Sequence, residues 1–144
     1  MSLRRLLNEQ LRADEGVETC AYQDHLGYWT IGVGRLIDRR KQGAGLRESE
    51  IDMLLDNDIN DRIFKLREKL PWFTSLGEAR QGVLLNMSFQ LGVEGLLGFQ
   101  TTLGLVKEGR HEEAAEQMLK SKWATQTPKR AYKMAEQMKT GVWQ

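Results

Sequence analysis

Apolar residues recur at helical spacing along most of this chain, and the exception is one short stretch near the start. Leu3, Leu6, Leu7 and Leu11 predict a helix over residues 3–14, behind a possible Ser2 cap, with that stripe buried. Helical spacing stops at Gly16. Period-two alternation takes over, with Trp29, Ile31 and Val33 on one face and Tyr28, Thr30 and Gly32 on the other. A helix end therefore feeds a hairpin, with Asp24 at its turn and Gly27 closing it. Residues 35–45, basic and then glycine-rich, predict a loop with little to hold it in one conformation.

Beyond the loop, Ile51, Leu54, Leu55, Ile59, Ile63 and Leu66 keep helical register from Glu48 to Lys69, until Pro71 breaks it. Ser75-Leu-Gly-Glu78 reads as a capping box opening a helix through Val83, Leu84, Leu85, Met87 and Phe89 that Gly92 ends. Gly95 to Gly98 reads as a connector, Thr101 or Thr102 as the cap of a short helix ending at Gly109, and Glu112 to Lys122 as another helix. Thr127-Pro128 starts a last helix running to about Lys139, before Gly141. The body is mostly helical with one small sheet.

A chain of 144 residues is long enough for one domain with a real core. Twenty-one basic against twenty acidic residues give a formal charge of +1, which does not indicate a nucleic-acid or membrane-surface protein. The lone Cys20 excludes an internal disulfide and every Cys-cluster metal site, and its expected role is packing near the hairpin. Asp56, Asp58, Asn60 and Asp61 suggest a calcium loop only superficially. Asp61 stands where that loop needs glycine and Arg67 where it needs glutamate, so no metal is expected.

Candidate chemistry sits at the hairpin. Glu15 ends the first helix, Asp24 lies in the turn and Thr30 on the returning strand. Two carboxylates and a hydroxyl suit glycoside hydrolysis, with Glu15 as the acid that protonates the leaving oxygen and an ionised partner acting on the other side of the sugar. On spacing alone, the other reading is an ordinary acidic residue at a helix terminus and an ordinary turn-forming aspartate.

The run Glu15-Gly16, then Tyr22-x-Asp24-x-x-Gly27-Tyr28-Trp29-Thr30-Ile31-Gly32-Val33-Gly34, resembles the signature of the phage-type lysozymes, the endolysin muramidases. The resemblance resumes at Asn86-Met87-x-Phe89-Gln90-Leu91-Gly92, Ala114-Ala115, Lys120-Ser-Lys-Trp123 and Gln126-Thr-Pro-x-Arg130-Ala131, and covers nearly the whole chain. It implies an α+β, mostly helical, two-lobe lysozyme-like fold within a single domain, residues 1–144. The small antiparallel sheet lobe would occupy about 15–58 and the helical lobe about 72–144 plus the helix 3–14, bridged by a long helix over about 48–69. It also implies inverting hydrolysis of the β-1,4 bond between N-acetylmuramic acid and N-acetylglucosamine in peptidoglycan. Glu15 would be the general acid, Asp24 the carboxylate that activates water, and Thr30 the hydroxyl that helps hold that water.

Arg130 matches the family arginine that pairs with the acid, and Asp14 can share it. Leu36, Phe89 and Gln90 match cleft-lining positions, as do Thr102 and Gln117, where serine and asparagine are more usual. Arg35 replaces a histidine, and its expected partner is Asp58 on the long helix. Trp123 and Trp143 are expected in the core. The loop before the long helix is shorter than in the best-known members. No cofactor is implied. A monomer is expected, with no nucleic-acid partner and no stable membrane insertion. With no signal peptide read in the sequence, the family setting is the host cytoplasm until a holin releases the enzyme to the periplasm or wall, where it lyses the host cell. The competing readings on the same fold are a lytic transglycosylase, which uses one acid and no water, and a catalytically silent wall-binding module. Asp24 and Thr30 argue against the first, and Glu15, Asp24 and Thr30 together against the second.

Overall fold

The computed structural model describes residues 2–144. Among these described residues, seven helices and three strands follow one another: α1 (Leu3–Glu15), β1 (Glu18–Gln23), β2 (Trp29–Gly32), β3 (Arg35–Leu36), α2 (Glu48–Lys69), α3 (Glu78–Leu97), α4 (Gln100–Lys107), α5 (His111–Leu119), α6 (Lys122–Gln126) and α7 (Pro128–Thr140). The chain divides into two compact units, Met1–Leu54 and Leu55–Gln144, with α2 running from one into the other. The fold is α+β and mostly helical, as the pattern predicts. The first unit includes α1, which the sequence reading grouped with the helical lobe.

In the first unit, β2 is the central strand of an antiparallel sheet, pairing Tyr22 with Thr30 on one side and Thr30 with Leu36 on the other. The leucine stripe of α1 is not buried: Leu3, Leu6, Leu7 and Leu11 are all exposed. The physical reason lies within the unit, whose only buried side chains among the described residues are Thr30 and Asp38, so it has no hydrocarbon interior to receive them. Ser2 takes the cap position with extended backbone but makes no side-chain cap bond. Cys20 is also exposed, because its strand has no packed layer over it.

The loop after β3 departs most from expectation. Gly45 N–H donates to the Leu36 carbonyl (2.9 Å), Ile37 N–H to the Trp29 carbonyl (2.9 Å) and Lys41 N–H to the Asp38 carbonyl (3.0 Å). Asp38, only 3% exposed, accepts four further hydrogen bonds, two on each carboxylate oxygen. A run that looks solvated is thus folded around one buried carboxylate.

The second unit is built on hydrocarbon. Leu66, Phe73, Val83, Leu84, Met87, Leu96, Val106, Met118 and Met138 are fully buried in one cluster. Each such side chain contributes about 1.5–3 kcal/mol of burial. Ser75 does not open α3. Its hydroxyl donates to the Trp72 carbonyl (2.6 Å), closing a single 3-10 turn over Phe73–Ser75, and Gly77 takes the cap position because Glu78 is already the first helical residue. Gly92, at φ 75°, ends the first helical segment of α3, as the pattern predicts, and a second segment running to Leu97 follows where a connector from Gly95 to Gly98 is expected. Phe99, not a threonine, precedes α4, and Thr102 lies inside that helix, 4% exposed. The helix expected over 112–122 stops at Leu119, because Ser121 turns its hydroxyl to Ala124 N–H (3.2 Å) and starts α6 instead. α7 is as predicted, with Pro128 in its first turn and Gly141 in the left-handed conformation after it. Among the described residues no single helix is long and apolar enough to cross a membrane.

Candidate active site

The first unit contains a groove of about 540 Å³ lined by Glu15, Tyr22, Gln23, Asp24, His25, Thr30, Gly34 and Leu36. Local chemistry explains why these side chains meet. α1 stops at Gly16, whose φ of 78° suits a residue without Cβ, so Glu15 is the last helical side chain before the chain turns into β1. Gly34, at φ 70°, sits against the acid: a Cβ there would stand 3.5 Å from Glu15 Oε2.

The hairpin turn fixes Asp24. Its Oδ1 accepts from Leu26 N–H (2.9 Å) and Tyr28 N–H (2.8 Å), and its own N–H donates to the Tyr28 carbonyl (2.9 Å). This is an aspartate holding its own turn, and it leaves Oδ2 without a bond from the described residues. Thr30 is 4% exposed and donates its hydroxyl proton to the Tyr28 carbonyl (3.0 Å). With the proton committed, the Thr30 oxygen is left as an acceptor. One fixed carboxylate oxygen, one free one and one accepting hydroxyl are what a water nucleophile needs to be held and deprotonated.

Arg35 pairs with Glu50, not with Asp58. Its Nη1 stands 2.7 Å from Glu50 Oε2, and Glu50 also receives Arg47 N–H (2.8 Å). The reason is reach: Glu50 lies in the first turn of α2, eight residues before Asp58, and a helix advances about 1.5 Å per residue. The Arg35 hydrogen bond, followed by Arg47 N–H, pulls the Glu50 carboxyl down to about 2, and Glu50 in turn raises the Arg35 guanidinium.

The other site residues read from the sequence lie in the second unit. Phe89 and Arg130 line a largely apolar cavity of about 430 Å³ with Leu55, Ile59, Leu85, Asn86 and Trp143. The Arg130 guanidinium donates to Asn86 Oδ1 (2.8 Å) and to the Asn86 carbonyl (3.0 Å). Gln90 accepts from Trp123 Nε1 (2.8 Å), Thr102 is buried in α4, and Gln117 is half-buried on α5. Trp123 is in the core as expected, whereas Trp143 is 62% exposed beside the cavity.

Tyr22, Gln23, His25 and Gly34 line the groove without having been singled out as site residues. The register was the available signal, since Tyr22 pairs with Thr30 and Gln23 with Trp29. No cluster of three or more metal-ligating side chains occurs among the described residues.

Comparison with known proteins bears on the same region. The family model described as Phage lysozyme matches residues 12–138. The "Probable T4-type lysozyme 1" and "Probable T4-type lysozyme 2" of Dictyostelium discoideum are each 29% identical over 94% of this chain and 95% of their own. The "Pre-baseplate central spike protein Gp5" of Enterobacteria phage T4 is 32% identical over 92% of this chain, a match that spans 27% of that larger protein.

Proposed function

The chain belongs to the phage lysozyme family, and from that premise we propose that it cleaves the β-1,4 bond after N-acetylmuramic acid by direct, inverting attack of water. A lysozyme is a glycoside hydrolase acting on peptidoglycan, so the finer question is which groups do the work. The observation that carries the assignment is the groove that gathers Glu15, Asp24 and Thr30 in one unit. Glu15 gives its proton to the leaving oxygen. Asp24 Oδ2 takes one proton from water as the water oxygen bonds to the anomeric carbon, while the Thr30 oxygen accepts a hydrogen bond from the other hydrogen, which stays on the new anomeric hydroxyl. Inversion requires room for that water, and such carboxyl pairs stand roughly 6.5–9.5 Å apart.

Sugar contacts at Leu36, Phe89, Gln90, Thr102 and Gln117, and support of the acid by Arg130 and Asp14, belong to the same proposal and rest on the resemblance; for Leu36 its place in the groove adds support. So do the monomeric state and the biological setting: host lysis by an endolysin held in the cytoplasm until a holin opens the way to the wall. The test is clearance of purified walls. Wild type is expected to clear them, and Glu15→Gln, which keeps the shape but has no proton to give, is expected to leave them turbid at an unchanged thermal midpoint. Clearance by Glu15→Gln near the wild-type rate would overturn the assignment.

A further inference from the structure

Two consecutive peptide groups in the hairpin turn face the chemistry at one end and the folded loop at the other. The Gly27–Tyr28 peptide gives its N–H to Asp24 Oδ1 (2.8 Å), and its carbonyl accepts from Arg40 Nη2 (2.8 Å). The Tyr28–Trp29 peptide accepts at its carbonyl from Asp24 N–H (2.9 Å) and from the Thr30 hydroxyl (3.0 Å), while its N–H donates to Asp38 Oδ2 (3.0 Å). Asp38 and Arg40 are bound to each other through Nε (2.8 Å), Nη2 (2.7 Å) and the Arg40 N–H (2.9 Å).

We infer that the Asp38–Arg40 pair is a positioning device for catalysis, gripping from behind the two peptide planes that orient Asp24 and Thr30. The inference rests on the proposed role of Asp24 as the carboxylate that activates water. A peptide group is rigid, so fixing its oxygen fixes the direction of its N–H. A guanidinium on the carbonyl also polarises the amide and strengthens its bond to a carboxylate at the other end. Both effects act on Asp24 Oδ1 without either residue touching the sugar.

Three further observations agree. Among the described residues of the first unit, Asp38 is one of two buried side chains, and the other is Thr30. The Arg40 hydrogen bond, then the N–H groups of Trp29 and Arg40, hold the Asp38 carboxyl well below the usual carboxylate range, which favours its ionised form. Finally, Tyr28 is flanked by two cations, the Arg40 guanidinium 5.0 Å and Lys41 Nζ 4.3 Å from its ring centroid, which adds a second attachment of the loop to the same turn residue. Arg40 and Lys41 of this basic run therefore have a use inside the fold.

A double-mutant cycle on a soluble peptidoglycan fragment tests this. Arg40→Ala is expected to lower kcat about tenfold with KM within about twofold, as for a group that positions the reacting carboxylate. In an Asp24→Ala background the same change should cost less than about twofold, because the residue through which it acts is gone. Asp38→Asn, which keeps the size of the side chain, is read in the same cycle should Arg40→Ala fail to fold. Faster exchange of the Tyr28 and Trp29 amides in either variant supplies the structural readout. Equal losses in both backgrounds, a rise in KM alone, or unchanged amide exchange would overturn the inference while leaving the role of Asp24 standing. Full activity of Asp24→Ala by itself would remove the proposed role of Asp24, and the catalytic purpose of the pair with it.

Discussion

The first unit buries two side chains among its described residues, Thr30 and Asp38, and both are polar; every buried apolar side chain, from Leu66 to Met138, is in the second. The first is held by directional bonds that accept one geometry: Asp24 Oδ1 on two turn amides, Asp38 on four donors, Glu50 on Arg35 and Arg47. The second is held by area removed from water, which tolerates a shifted side chain more readily than a hydrogen bond tolerates a lost partner. Precision of the groups that do chemistry and stability of the chain are thus assigned to different parts of the molecule.

That division can be broken by mutation, and the largest effect should fall on activity alone. Asp24→Ala is expected to cut turnover about 10²–10⁴-fold, the range of a lost general base. Thr30→Val should also reduce turnover, and in neither case should circular dichroism or the cooperativity of thermal unfolding be lost. In the second unit, Leu84→Ala at a fully buried position should cost about 2–5 kcal/mol in denaturant unfolding, while kcat per folded molecule is unchanged. If Leu84→Ala slowed turnover at full folding, or Asp24→Ala abolished cooperative unfolding, the division would be wrong.

Gly34 sharpens the comparison, because it serves backbone and chemistry together. Gly34→Ala should cost about 1–2 kcal/mol for a side chain at φ 70°, and relief of that strain beside the groove, rather than the new Cβ, which would meet Glu15 Oε2 at an ordinary 3.5 Å, should slow turnover as well. Unfolding and rate measured on the same preparation separate the two losses. The smallest effect is electrostatic. Glu50 has its folded pKa depressed from 4.5 to about 2, so the stabilisation by its bonds to Arg35 and Arg47 is present above the ordinary glutamate value and is lost as pH falls toward 2. Glu50→Gln should flatten the thermal midpoint over that window and leave its trend above neutrality unaltered. Unlike a histidine pair in its place, the Arg35–Glu50 pair should not weaken as pH rises past 7.

The same contrast decides what the sequence made legible. Helices of the second unit announce themselves by period and by caps whose chemistry is local, as at Pro128 and Gly141, and α2 has the bounds its periodicity predicts. The errors there concern small competing bonds, such as Ser75 choosing the Trp72 carbonyl and Ser121 choosing Ala124 N–H. In the first unit the hairpin was legible, and the candidates Glu15, Asp24, Thr30 and Leu36 line one groove. The loop was not. Asp38-Arg39-Arg40-Lys41 has no hydrophobic period, and its order comes from bonds to Trp29 and Gly27, residues far enough away in sequence that composition says nothing of them. Arg35 shows a different limit, since Asp58 is the partner implied by relatives with histidine at that position, whereas the guanidinium meets Glu50 in the first turn of α2.

The central claim is that Asp24 and Thr30 deliver water directly to the anomeric carbon. The most direct test is proton NMR of the new reducing end during the first minutes of cleavage of a soluble glycan, before mutarotation mixes the anomers. Inverting attack on a β-linkage predicts that the α-anomer appears first and the β-anomer only later. Initial release of the β-anomer, or of a 1,6-anhydro end with no new reducing group, would contradict the account.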